Sequence, residues 1–223
     1  MPLSRLAVPA LVVIPVQIVV EDLVVERGSR AVIDGLSFKA AAGEALVLQG
    51  ANGAGKTTLL RALAGFLRPV RGSIRLEGGD AEMSLAEQAH VVGHANAVKS
   101  NLTVAENVSF WSAFLGETVQ SSDESTARAL SHFGLSGLAE FPAGYLSAGQ
   151  KRRLGLARLL AAERPIWLLD EPTVSLDAAS VALLADAVNA HTKSGGIAIA
   201  ATHLPLGLVN ARELRLQVLE RVS

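Results

Sequence analysis

Residues 50–58 read GANGAGKTT and fill the pattern G-x-x-x-x-G-K-[ST] with Gly50, Gly55, Lys56 and Thr57. The pattern carries meaning only between a strand and a helix. Ahead of it the apolar run EALVLQG (44–50) predicts a buried strand, and behind it a helix is expected from Lys56 to about Leu67. Gly50, Gly53 and Gly55 permit the sharp turn that points backbone N–H groups at an anion, with Ala51, Asn52 and Ala54 between them, and a helix N-terminus adds a favourable field. Lys56 then offers a mobile cation to β and γ phosphates. The Thr57 hydroxyl suits Mg²⁺, a hard ion that takes oxygen, and Thr58 closes the phosphate-binding loop. An ordinary glycine-rich turn is the plain alternative, which the flanking elements disfavour.

Downstream, PIWLLD (165–170) predicts a second buried strand whose C-terminal end holds Asp170 and Glu171. In open α/β sheets that end is where ligands bind. Successive strand side chains point opposite ways, so Asp170 can hold the Mg²⁺ shell through water while Glu171 orients and deprotonates a water. His203, after the buried run GGIAIAATH (195–203), could hydrogen-bond a γ-phosphate oxygen; a satisfied core histidine is the alternative. YLSAGQ (145–150) opens a predicted helix. Ser147 there reads first as an N-cap, but its hydroxyl and N–H could also serve an anion.

The rest of the chain bounds the possibilities. With 223 residues and 50% hydrophobic content, it can build one sizeable α/β core. A net charge of −1, with no basic cluster longer than KRR (151–153), argues against nucleic acid as a partner, and zero cysteines exclude disulfides, thiolate metal sites and thiol catalysis. The start, MPLSRLAVPALVVIPV, has one basic residue and an apolar run broken by Pro9 and Pro15, too short to span a bilayer and lacking a small-x-small cleavage site. Residues 1–15 are therefore expected to be a poorly ordered extension, and any membrane role to come through a partner. Extended chain is predicted from Val16 to Val25, at SFKA, GSIRLEGG, AHVVG (89–93) and LRLQVLE. Helices are predicted in TVAENVSFWSAFLG, ESTARALSHFG and SAGQKRRLGLARLLAAE, and from about Ala178 to Thr192. The expected fold is an α/β P-loop NTPase core over residues 16–223, with an antiparallel β subdomain from the first strands and an inserted α-helical subdomain at about 95–162.

The ordered motifs GANGAGKTT, LSAGQ, LLDEP, SLD and ATH resemble the P-loop, signature, Walker B, D-loop and H-loop of ABC ATPases over residues 17–223. That resemblance implies a head-to-tail ATP sandwich in which Ser147, Gly149 and Gln150 of one copy close on the ATP held by the other. Narrower stretches, GHANAVKSNLTVAENVSFWSAFLG, YLSAGQKRR, DEPTVSLDAAS and GGIAIAATHLPL, resemble the ATP-binding subunits of bacterial cytochrome c maturation (haem exporter) systems. The narrower resemblance implies a peripheral ATPase on the cytoplasmic face of the inner membrane. It would be paired with an integral membrane permease and would work alongside a haem-handling membrane protein and a periplasmic haem chaperone.

Two positions depart from the general ABC pattern. His94 stands where most ABC ATPases have glutamine, eight residues before Leu102 of LTVAEN; imidazole nitrogen is a poor Mg²⁺ ligand, which leaves a hydrogen bond to water or phosphate, or packing against the partner. Arg27 stands where an aromatic usually stacks on adenine. Its planar guanidinium could lie over the base, or simply be solvated. The alternatives in function are an exporter ATPase for another substrate, such as a drug or polysaccharide, and a DNA-repair ATPase head. The absence of a split head around heptad repeats argues against the latter.

Overall fold

The computed structural model describes residues 15–115 and 119–219. In chain order, β1 (Gln17–Arg27) and β2 (Arg30–Ala41) form a hairpin, β3 (Ala45–Gln49) leads through the glycine loop into α1 (Lys56–Leu63), and β4 (Arg71–Glu77) and β5 (Ala89–Val92) follow. Helices α2 (Val104–Phe114), α3 (Val119–His132) and α4 (Ala148–Ala157) lie in the chain between β5 and β6 (Ile166–Asp170). Next come α5 (Ala178–Lys193), β7 (Ile197–Ala201) and β8 (Ala211–Arg215).

The strands make two sheets. One is antiparallel in the order β2-β1-β4; the other is parallel in the order β5-β6-β7-β3-β8. Every residue of β6 and β7 is buried, as expected of central parallel strands covered on both faces. Along β6 the side chains alternate between two cores. Ile166 and Leu168 pack with Leu59 and Leu63 of α1 and with the antiparallel sheet, whereas Trp167 and Leu169 pack with α5 and residues of α2 to α4. By the same alternation Asp170 falls on the α1 side, facing the glycine loop.

Several boundaries differ from the sequence-based expectation, each for a local reason. Helix α1 stops at Leu63, short of Leu67, because Gly65 turns into the left-handed region (φ 74) and the N–H groups of Phe66 and Leu67 fold back onto the Arg61 carbonyl. The predicted helix 147–163 tightens after Ala157 into a 3-10 turn, Arg158–Leu160. Strand β2 extends far upstream of SFKA, because the turn after Arg27 pairs the whole hairpin. The closing strand was expected at LRLQVLE but lies at Ala211–Arg215, an exposed edge beside β3; the apolar spacing of Leu214 and Leu216 misplaced it, and Glu220 is outside the described residues. The expected extension at 1–15 also lies, apart from Pro15, outside the described residues.

A buried aromatic stack sits behind β6. Trp167 lies flat on His191, with centroids 4.1 Å apart, and meets His90 edge-on at 6.4 Å. Burial pushes His90 down to about 4, against the opposing effect of its bond to the Ala162 carbonyl, and pushes His191 down to about 4 as well. In the unfolded chain both take protons below about 6.5, so between pH 6.5 and 4 the unfolded state binds more protons and stability falls as pH falls. His90 alone contributes about 3 kcal/mol that is present above pH 6.5 and lost on reaching pH 4. Denaturant midpoints are expected to drop clearly between pH 7 and pH 5. Replacing His90 by a neutral isostere should flatten that slope, and equal slopes for the two proteins would remove the histidine from the account.

Candidate active site

The loop after β3 is held open by backbone geometry. Gly50 has φ 148, and a methyl group there would lie 2.5 Å from the carbonyl oxygen of Leu216, whose own N–H donates to Gln49. Gly55 begins α1 in the left-handed region (φ 96) with no side-chain cap, and a methyl would meet the Val32 carbonyl at 3.2 Å. The β1–β2 hairpin is therefore packed directly on the loop. Lys56, only 7% exposed, folds back so that Nζ donates to the carbonyls of Gly50 (2.6 Å) and Ala51 (3.2 Å).

The carboxylates arrive from β6. Asp170 is buried, and its Oδ1 accepts from the Thr57 hydroxyl at 2.9 Å, while its Oδ2 lies 3.4 Å from Nδ1 of His94. Glu171 follows with φ 46, a strained value for a residue with a side chain, and its N–H donates to the Ala201 carbonyl at the end of β7. Its Oε1 stands 3.4 Å from Nε2 of His203. The His203 side chain is half-exposed, so the alternative of a satisfied core histidine does not hold. Two carboxylates, two imidazoles, a threonine hydroxyl and a lysine thus converge where α1 starts and β6 and β7 end.

This donor set fits a nucleotide that brings its own Mg²⁺. Thr57 and Asp170 place two oxygens 2.9 Å apart at the loop, the type of ligand Mg²⁺ takes, and such ions commonly combine one carboxylate with substrate phosphates. Among the described residues no group of three or more His, Asp or Glu is arranged to hold a metal unaided. Lys56 occupies the loop's own carbonyls with a cation that phosphates could draw away.

The other expected residues lie elsewhere. Ser147 is exposed and caps α4 in a reciprocal box with Gln150: the Gln150 N–H donates to its hydroxyl at 3.3 Å, and its own N–H donates to the Gln150 side chain at 2.8 Å. Gly149 lies against the Ser175 carbonyl, where a methyl would stand 3.1 Å away. Arg27 is exposed at the end of β1, opposite Arg30 in the hairpin that abuts Gly55. Sequence reasoning missed Arg152. The triplet KRR reads as a small basic cluster, yet each member bonds to backbone: Lys151 to Gly144, Arg153 to Phe133, and Arg152 to Gly93, Glu171 and Pro172. Its helical phase could have flagged it, since position 152 shares a face with buried Gly155 and Leu156.

The chain is similar to known proteins over most of its length. A family model described as "ABC transporter" matches residues 33–174. A protein of Agrobacterium fabrum named "Cytochrome c biogenesis ATP-binding export protein CcmA" is 51% identical over 88% of this chain and 93% of its own. The protein of that name from Nitrobacter winogradskyi is 55% identical over 85% and 92%. A solved ATP-binding subunit of an ABC transporter superposes with a TM-score of 0.80 at 23% identity, covering 90% of this chain and 87% of that one, a likeness of fold.

Proposed function

The chain belongs to the ABC transporter family as an ATP-binding and ATP-hydrolysing subunit, and on that premise we propose that it drives an integral membrane permease in cytochrome c biogenesis, powering haem export or the release of a haem chaperone. The observation that carries this reading is identity of 51% and 55% over most of the chain to proteins named for that process. The remaining partners follow: a second copy of the chain, a haem-handling membrane protein and a periplasmic haem chaperone, with the subunit held on the cytoplasmic face of the inner membrane. No described helix is long and apolar enough to cross a membrane. A groove of ≈ 1010 Å³ suits the permease: exposed Phe66 and Phe114, with Trp111, border it, and His94 and Asp170 lie on its wall. A segment seated there would feel the state of the nucleotide site.

In the site, the N–H groups at the start of α1 receive the phosphates, and Lys56 leaves the carbonyls of Gly50 and Ala51 for the β and γ phosphates. Thr57, and Asp170 through water, would hold Mg²⁺, which when bound would supply positive charge against the developing phosphate charge. Glu171 accepts the proton of the attacking water, and His203, beside it, hydrogen-bonds the γ-phosphate. His94, in contact with Asp170, hydrogen-bonds the attacking water or a phosphate rather than the ion, for which imidazole nitrogen is a poor ligand. Arg27 lies over the adenine. Ser147, Gly149 and Gln150 of the second copy complete the cage, where their exposed helix N-terminus adds to the charge stabilisation.

Cap and ligand roles of Ser147 are separable. Ser147→Ala should cost about 1 kcal/mol through the lost cap. Ser147→Asp keeps the cap but puts a carboxylate against a phosphate, so thermal stability should stay near wild type while ATP-driven pairing of copies disappears in sedimentation. Pairing by the Asp variant would refute the ligand role. The biological reading is checked in cells carrying Lys56→Ala in place of the chromosomal copy. Haem-stained c-type cytochromes should vanish while b-type haem proteins persist; normal c-type cytochromes, with sensitivity to some other exported compound, would instead mark an exporter for another substrate.

A further inference from the structure

A buried cation ordinarily sits against an anion. Arg152, in α4, is 3% exposed and feels the charge of nearby Asp170, yet its hydrogen bonds all go to neutral oxygens: Nε donates to Pro172 (3.0 Å), Nη2 to the Glu171 carbonyl (2.7 Å), and Nη1 to the Gly93 carbonyl (2.8 Å) and Asn96 Oδ1 (3.1 Å). One planar fork therefore grips two loops. The first carries Glu171, whose left-handed backbone is bonded at its N–H to Ala201 and at its carbonyl to Arg152, which fixes the direction in which its side chain leaves. The second carries His94, flanked by the two Nη1 acceptors and in contact with Asp170. Along the same helix a methyl at Gly155 would lie 2.8 Å from the Asn96 carbonyl, so helix and loop meet backbone to backbone and cannot slide.

We propose that Arg152 is a positioning residue for hydrolysis: it fixes the Glu171 carboxylate and the His94 loop to α4, so that the helix capped by Ser147 moves together with the carboxylates of its own chain. The proposal rests on the reading of Glu171 as the base. In a paired assembly it follows that each site reports its state to the other, because α4 begins at the serine that serves the second nucleotide.

The test compares Arg152→Gln and Arg152→Lys in the full chain, purified with its membrane partner, with ATP as the probe. Arg152→Gln should lower kcat about 30- to 100-fold, the scale of an ångström-sized misplacement, with KM for ATP within about threefold because the phosphate loop is untouched. The pH profile of kcat should change as Glu171 shifts against His203. Arg152→Lys should recover part of kcat, since an ammonium reaches one loop but cannot bridge both. A purely structural role predicts a lowered melting temperature with wild-type kcat and pH profile per folded site, and that result in either variant overturns the proposal. If Arg152→Gln does not fold, Arg152→Lys makes the same comparison. Glu171→Gln is run beside them. Normal turnover there sinks the reading of the base itself, whereas an inert Glu171→Gln with fully active Arg152 variants sinks the positioning role alone.

Discussion

Replacing Glu171 by glutamine is expected to slow ATP hydrolysis by about 10²- to 10⁴-fold, the usual contribution of a positioned base, while ATP affinity stays within about threefold. The amide preserves the shape of the side chain beside His203 and leaves Thr57 and Asp170 untouched, so the phosphates and the ion keep their ligands. What it loses is the ability to take a proton from water. With turnover blocked, the ATP-bound pair of copies should accumulate, and sedimentation of the variant with ATP should show a species of twice the mass. A variant that hydrolyses ATP at the normal rate, or that stays single even with its membrane partner, would withdraw Glu171 from the role of base.

Lys56→Ala acts one step earlier. Its ammonium makes two bonds to backbone carbonyls of the loop and would exchange them for charge-assisted bonds to phosphate, each contributing about 1.5–3 kcal/mol. Losing it should weaken ATP binding by about 100-fold or more, and turnover with it. The fold should survive, because the side chain bonds the loop and not the cores. Equilibrium binding of a fluorescent ATP analogue decides the matter: affinity within threefold of wild type would mean that the lysine does not contact phosphate.

The sequence was most informative where one local rule acts alone. The strand Ile166–Asp170, the glycine loop and the cap at Ser147 follow from apolar runs, φ requirements and N-cap chemistry, each of which involves neighbours in the chain. Edges were harder to read. The strand at Ala211–Arg215 is exposed along most of its length and is defined by pairing with Ala45–Gln49, a partner far away in sequence. Within the site, the types of residue at Asp170, Glu171 and His203 suggested their chemistry, but the 3.4 Å approach of His94 to Asp170 depends on how the loop after β5 lies against β6. Arg152 was overlooked for a related reason: its helical phase hints at burial, but a charged residue reads as solvated until its acceptors are known, and here they lie in two other segments.

The contact between Gly50 and the chain after β8 has a genetic corollary. Because a side chain at position 50 would strike the Leu216 carbonyl at 2.5 Å, the lesion in Gly50→Ala is a collision between two distant segments and not a fault of the loop alone. Selection for restored growth on a respiratory substrate should then return second-site suppressors clustered around residues 214–218, where small shifts of an edge segment make room, and within 51–58 chiefly at Ala54, whose Cβ would stand 3.0 Å from the added methyl.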